Sequence, residues 1–286
     1  MTPTGKLLPI PAAKSVPKKI EPPPTYEKLF EGMYESVQKI LNDGSAYSVY
    51  IAYPEKNPRP FIYNSRQVRS ASMIKIFIMA TIMQEVKDGN ISLQQKLAMS
   101  DYDKVGGAGV ISAYAAGTEF EISTLINYMI VESDNTATNM LIDFIGMQKI
   151  NEYIQKNGYI DTKLQSPMMQ GTLKTPVVGA NLTSVRDLGN FFLKLRNYEC
   201  VGDIYDATMI SYLKGQRDRD CFPAALPGKI IAHKTGAIDG IYDDGGIIFG
   251  GTRGDVILVI TSEGFIGESI VIESMKKFAQ FVVYKN

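Results

Sequence analysis

The chain has 286 residues, 45% of them hydrophobic, which suits one large domain or two interlocked lobes around a sizeable core. Its 30 Lys plus Arg balance 30 Asp plus Glu, which argues against a nucleic-acid partner or a polybasic membrane-surface protein. The single histidine, His233, excludes more: zinc hydrolases usually need several His ligands and a Ser-His-Asp site needs one well placed, so the chemistry points to another base.

Residues 1–25 are dense in Pro and Lys and read as a stiff, solvated linker. Prolines interrupt the run Leu7-Leu8-Pro9-Ile10, so no signal-peptide core is visible, and no window approaches the roughly 18 apolar residues of a membrane span. From Tyr26 to Asn42 the apolar positions Leu29, Phe30, Met33, Val37, Ile40 and Leu41 keep helical spacing, closed by Asp43-Gly44. Two strands, Tyr47–Ala52 and Phe61–Tyr63, follow across a Pro-rich turn, and then a buried helix over Met73–Val86. Residues 119–215 read as mainly helical. Lys229–Lys234, Gly246–Phe249 and Val256–Thr261 read as short apolar strands separated by Gly-Asp turns, and Glu268–Tyr284 as a closing helix. The order predicts an α+β fold: an α/β lobe from residues 26–68 and 216–286, with a helical lobe, 69–215, inserted.

Three short motifs carry the chemical signal. In Ser72-Met73-Ile74-Lys75 the serine and lysine share a helix face, and a lysine desolvated among apolar neighbours can take a serine proton. The same S-x-x-K pattern recurs at Ser15, Ser36, Ser211 and Ser274, where a solvated face or linker explains it. Ser72 differs because it follows an extended polar segment and opens an apolar helix, although an N-capping serine would do the same. Ser133-Asp134-Asn135 taken alone is a helix cap. Lys234-Thr235-Gly236 taken alone is a strand entering a turn, though its cation and hydroxyl could receive an anionic substrate. Gly106-Gly107-Ala108-Gly109 lacks the Lys-Ser/Thr of a phosphate-binding loop and reads as a turn.

Together and in this order, S-x-x-K, S-D-N and K-T-G resemble the signature of class A β-lactamases and other serine penicillin-recognising enzymes. The spacings, 61 residues from Ser72 to Ser133 and 101 more to Lys234, and the flanks Arg69-Ser70-Ala71 and Gly117-Thr118-Glu119-Phe120 agree with that family over about residues 26–286. The resemblance implies an antiparallel sheet packed by the N- and C-terminal helices, beside an all-helical lobe, with the site between them. It implies that Ser72 is the nucleophile toward a β-lactam or D-Ala-D-Ala-like carbonyl and Lys75 its base or relay. Ser133 then protonates the departing nitrogen, Lys234 and Thr235 receive the substrate carboxylate, and Asn135 holds the acyl amide. Gly236 lies in the substrate-binding strand, and the backbone N–H groups of Ser72 and Ala237 form the oxyanion hole.

The resemblance also implies no cofactor or metal, a monomer, and an envelope or secreted location. One feature departs from the family. The glutamate that releases the acyl group is missing: no Asp or Glu occurs from Thr162 to Arg186, and Gln170 stands near the expected position. Slow deacylation is therefore expected, with a cell-wall peptidase or esterase, or a non-catalytic sensor, as the alternatives. Asp187 pairs with Ser184 as a capping box. Arg217, Arg219 and Arg253 are the candidates for a distal carboxylate contact. Cys200 and Cys221 fit either a disulfide or two buried thiols.

Overall fold

The central sheet is assembled from two distant stretches of chain. The computed structural model describes residues 25–169, 179–265 and 267–285, so the Pro- and Lys-rich start lies outside the described residues. The expected first helix is two, α1 (Tyr26–Leu29) and α2 (Met33–Ile40), interrupted where Gly32 takes a φ of 66°. The strands β1 (Ala46–Tyr53) and β2 (Asn57–Tyr63) follow. Pro58 and Pro60 lie inside β2 rather than in a turn before it. They are tolerated because β2 is an edge strand, where a missing N–H removes no ladder bond.

The inserted stretch runs through β3 (Val68–Arg69), a 3₁₀ turn (Ala71–Ile74) and α3 (Lys75–Lys87). Next come β4 (Lys96–Ala98), β5 (Glu119–Glu121), α4 (Ile122–Val131), α5 (Asn135–Ile145) and α6 (Met147–Lys156). It ends with β6 (Leu182–Thr183), α7 (Val185–Arg196) and α8 (Asp203–Lys214). After the short α9 (Phe222–Ala225), the strands β7 (Ile231–Ile238), β8 (Ile241–Gly251) and β9 (Gly254–Glu263) complete the sheet, and α10 (Glu268–Tyr284) closes the chain. The sheet order is β2-β1-β9-β8-β7, every pair antiparallel.

Both faces of the sheet are covered, so the inner strands β1 and β9 are apolar along most of their length rather than alternating. Val49, Ile51, Leu258 and Ile260 belong to a core shared with Met33 of α2 and Phe278 of α10. Tyr50, Ala52, Ile257 and Val259 belong to a second core shared with Phe77 of α3 and Phe191 of α7. Cys200 and Cys221 sit one in each core as free, buried thiols, which decides between the two possibilities left open by the sequence.

The strand expected over Gly246–Phe249 starts earlier: β8 begins at Ile241, after a turn at Asp239-Gly240, so Asp243-Asp244-Gly245 lies mid-strand, paired to β7 and β9. A Cβ on Gly246 would stand 2.3 Å from the Ala232 carbonyl oxygen, so glycine is required for close approach. Asp244 is fully buried and accepts from the Phe222 amide (3.1 Å), and its other oxygen stands 2.8 Å from Nδ1 of His233. The lone histidine is thus a buried partner of a carboxylate.

Candidate active site

The turn that carries Ser72 is built by a backbone clamp. β3 pairs with β6, and the Ser70 amide donates to the Asn181 carbonyl (2.8 Å). Ala71 then takes a φ of 42°, a left-handed conformation uncommon outside glycine, and the chain enters the 3₁₀ turn. Met73 and Ile74 are buried, whereas Ser72 lines an open cleft. Ser72 therefore sits on a 3₁₀ turn just ahead of α3 rather than capping the helix. The turn rests on β7 at Gly236, where a Cβ would lie 3.1 Å from both Ala71 Cβ and Met73 Cγ. A larger residue at position 236 would displace the turn that carries Ser72.

Lys75 opens α3 with no measurable exposure. Its Nζ donates to the Ser133 carbonyl (2.6 Å), Asn135 Oδ1 (2.9 Å) and Ser133 Oγ (3.2 Å). Burial drives the Lys75 pKa well below the ordinary 10.5; the nearby Lys234 charge adds to that and Asp134 opposes it. Lys234 is equally buried, and burial lowers its pKa to about 8 against the opposing pull of Asp218 and Asp244. Its Nζ donates to Ser133 Oγ (3.1 Å) and to the Thr235 carbonyl (2.9 Å).

Ser133 Oγ thus accepts from two lysines. Both lone pairs of a hydroxyl are then engaged, and its own hydrogen must point elsewhere. Ser133 also has a positive φ of 54°. That conformation is held by the Asp134 amide donating to Tyr128 (3.0 Å), the Asn135 amide donating to Ala108 (2.9 Å) and Lys75 on its carbonyl. Asp134 is the N-cap of α5, accepting from the Ala137 amide (2.8 Å), and its other oxygen binds the amides of Val110 and Ile111. The cap expected from the sequence and the Ser133-Asp134-Asn135 motif are one structure. The glycine cluster is indeed a loop, and it has a further job: a Cβ on Gly107 would lie 2.7 Å from Asn135 Nδ2.

The cleft has a volume of about 820 Å³ and brings Ser72, Asn135 and Ala237 to one space. Tyr242, opposite Ala237, directs its amide and carbonyl to Ser262 on the β9 side. In an antiparallel ladder this makes Ala237–Tyr242 a non-hydrogen-bonded pair, so the Ala237 N–H points outward from the open edge of β7. Thr235 is buried and lies two residues earlier on the same strand.

Sequence reasoning missed the opposite wall. Asn139 on α5 accepts from the Met168 amide (2.7 Å) and donates to the Met168 carbonyl (3.2 Å), fixing that segment at the cleft. A polar residue one helical turn beyond the S-D-N motif was the available signal. Gln170 lies outside the described residues. Ser184 caps α7 by accepting from the Asp187 amide, but the Asp187 carboxylate binds Thr162 and the Asp161 amide instead of closing the box. Among the arginine candidates, Arg253 reaches the Leu29 carbonyl beside the terminal helices and Arg219 is exposed. Arg217 pairs with Glu132 (2.6 Å), next to Ser133 in the chain.

A model of the Beta-lactamase enzyme family matches residues 32–279, and the chain belongs to that family. It is 23% identical over 180 residues to Beta-lactamase VEB-1 of Pseudomonas aeruginosa, a match covering 58% of each chain. The alignment therefore spans somewhat more than half the length of that curated relative. Among solved structures, the β-lactamase from Sphaerobacter thermophilus DSM 20745 superposes with a TM-score of 0.79 at 24% identity, covering 89% of this chain and 97% of that one. A mutant of PBP-A, solved as an acyl-enzyme complex with penicillin G, superposes at 0.78 with 23% identity, covering 92% and 98%. At these identities the superpositions establish the fold.

Proposed function

We propose that this member of the β-lactamase enzyme family forms an acyl-enzyme through Ser72 with β-lactams and related D-Ala-D-Ala-like substrates, and releases it slowly. The observation that carries the reading is the doubly accepting hydroxyl of Ser133 between Lys75 and Lys234. Burial makes the Lys75 ammonium, the form that donates all three hydrogen bonds, readily deprotonated, and the neutral amine so formed takes the Ser72 proton as Oγ attacks the carbonyl. As the C–N bond breaks, Ser133 passes its proton to the departing nitrogen and is reprotonated from the lysine pair. Lys234, kept cationic below about pH 8, attracts the substrate carboxylate. The outward Ala237 N–H and the Ser72 N–H stabilise the oxyanion, where losing one donor typically costs about 10²–10³ in rate.

Slow release follows from the opposite wall. Met168 and Met169 stand there among the described residues, and no carboxylate lies between Thr162 and Arg186 to activate water. The loss of such a base typically costs about 10²–10⁴ in rate. Intact-mass analysis after mixing with penicillin G tests both halves. A lasting adduct of the drug's full mass on the wild type, absent in Ser72→Ala, is expected. Rapid drug hydrolysis without accumulated adduct refutes slow release, and absence of any adduct refutes acylation.

A further inference from the structure

The cleft ends at a rim bearing two charges of opposite sign. Arg69, on β3, and Asp239, after β7, both line it and are exposed. The Arg69 Nη2 donates to the Asp239 backbone carbonyl (3.2 Å), which ties the guanidinium to that turn. Yet the two side chains form no ion pair within 4.0 Å, and Asp239 has no side-chain partner among the described residues. Nearby Arg66, by contrast, closes directly on Glu263 at 2.6 Å. One anchored N–H leaves most of the Arg69 fork available to a carboxylate. The lining that Arg69 and Asp239 share with Ser72 includes the apolar Ala71, Ala237, Ile238 and Met169, with Ile238 and Met169 exposed, beside polar Asn135, Ser166 and Asn181.

A substrate acylating Ser72 therefore extends its acyl side chain along this cleft toward a separated cation and anion. A neutral tip gains nothing from either charge. A tip with only a carboxylate meets Arg69 but faces Asp239, and an amine alone faces Arg69. We propose that the cleft selects acyl side chains that end in an α-amino acid zwitterion, carboxylate on Arg69 and ammonium on Asp239. An aliphatic amino-acid side chain of the diaminopimelyl or α-aminoadipyl type has this chemistry. The proposal rests on the acylation reading above and names its substrate class.

Three penicillins with one nucleus and different side chains test it: α-aminoadipyl, glutaryl (the carboxylate without the amine) and the apolar phenylacetyl of penicillin G. The readout is the second-order rate of Ser72 acylation, followed by intact mass. Exposed ion pairs of this kind change rates about three- to fivefold each. The wild type should acylate fastest, by about that factor or more, with the α-aminoadipyl compound. Arg69→Gln and Asp239→Asn should each remove about three- to fivefold for that compound and leave penicillin G unchanged. Asp239→Asn should speed the glutaryl compound by relieving repulsion. Equal wild-type rates for the three compounds overturn the proposal while leaving acylation intact, as does an equal loss with penicillin G in either variant. Acylation by none of them overturns the parent reading and this one with it.

Discussion

Replacing Lys234 by methionine should make the protein more stable at pH 7 while impairing acylation. The ammonium has no measurable exposure, and burial lowers its pKa from 10.5 to about 8. Each tenfold change in proton affinity is about 1.4 kcal/mol, so the charged form destabilises the fold by about 3 kcal/mol below pH 8. Two hydrogen bonds offset this, to Ser133 Oγ and the Thr235 carbonyl, at about 1 kcal/mol each.

Lys234→Met should therefore gain about 1 kcal/mol at pH 7. The sign with pH follows from the lowered folded pKa. Between about pH 8 and 10.5 the unfolded state holds more protons, so the wild type becomes more stable as pH rises, and the variant lacks that gain. Above pH 10.5 the lysine is neutral in both states, the two hydrogen bonds remain, and the variant should be less stable by about 2 kcal/mol. Urea unfolding of both proteins at pH 7, 9 and 10.5 measures the crossover. A stability difference that stays constant across this range refutes the account of Lys234 as a desolvated cation. The same titration should give wild-type acylation an alkaline limb near pH 8.

Ser133→Ala removes the hydroxyl between the two lysines and should slow acylation by about 10²–10³, while the carbonyl that holds Lys75 keeps the melting temperature within a few degrees; stopped-flow acylation and calorimetry check the two halves. Met168→Glu places a carboxylate on a backbone clamped by Asn139 at the cleft, and should shorten the lifetime of the penicillin G adduct at least about tenfold, read by intact mass against time. Gly246→Ala drives a Cβ into the backbone of β7, at 2.3 Å from the Ala232 oxygen, and should cost about 3 kcal/mol in urea unfolding.

What was legible in the sequence is what local chemistry dictates. Three motifs fixed the residues that meet at the cleft, because a serine and lysine one turn apart need no distant information to be neighbours. The terminal helix Glu268–Tyr284 was readable to the residue from its apolar period. The strand expected from Gly246 starts instead at Ile241; its beginning was hidden because Asp243-Asp244-Gly245 carries none of the apolar or β-branched signal of a strand. Here Asp244 is held by Phe222 beside His233, Asp243 is held by the Ser262 amide, and the glycines allow strand approach. Burial drives the Asp243 carboxyl well above the usual carboxylate range, against the Ser262 amide bond and with the Glu263 and Asp244 charges adding to it. Each partner lies far away in sequence or on another strand. The Asn139 clamp and the Arg69–Asp239 rim were hidden for the same reason: they join residues 29 and 170 positions apart.

The position of β7 at the edge of the sheet leaves backbone groups open to the cleft. Edge strands expose unpaired N–H and C=O groups, and proteins usually cover them. This edge is buried from Ile231 to Gly236 and opens at Ala237 and Ile238, beside Ser72. Because Ala237 faces Tyr242 as a non-hydrogen-bonded pair, its N–H serves the cleft and not the ladder. Ala237→Pro therefore deletes the N–H proposed as an oxyanion donor without removing a sheet bond. Acylation should fall by about 10²–10³, with urea stability changed by less than about 1 kcal/mol, since proline is accepted at such edges. Ala237→Gly, which keeps the N–H, should retain acylation within a few-fold. Full acylation by the proline variant would show that the oxyanion draws its second donor from elsewhere.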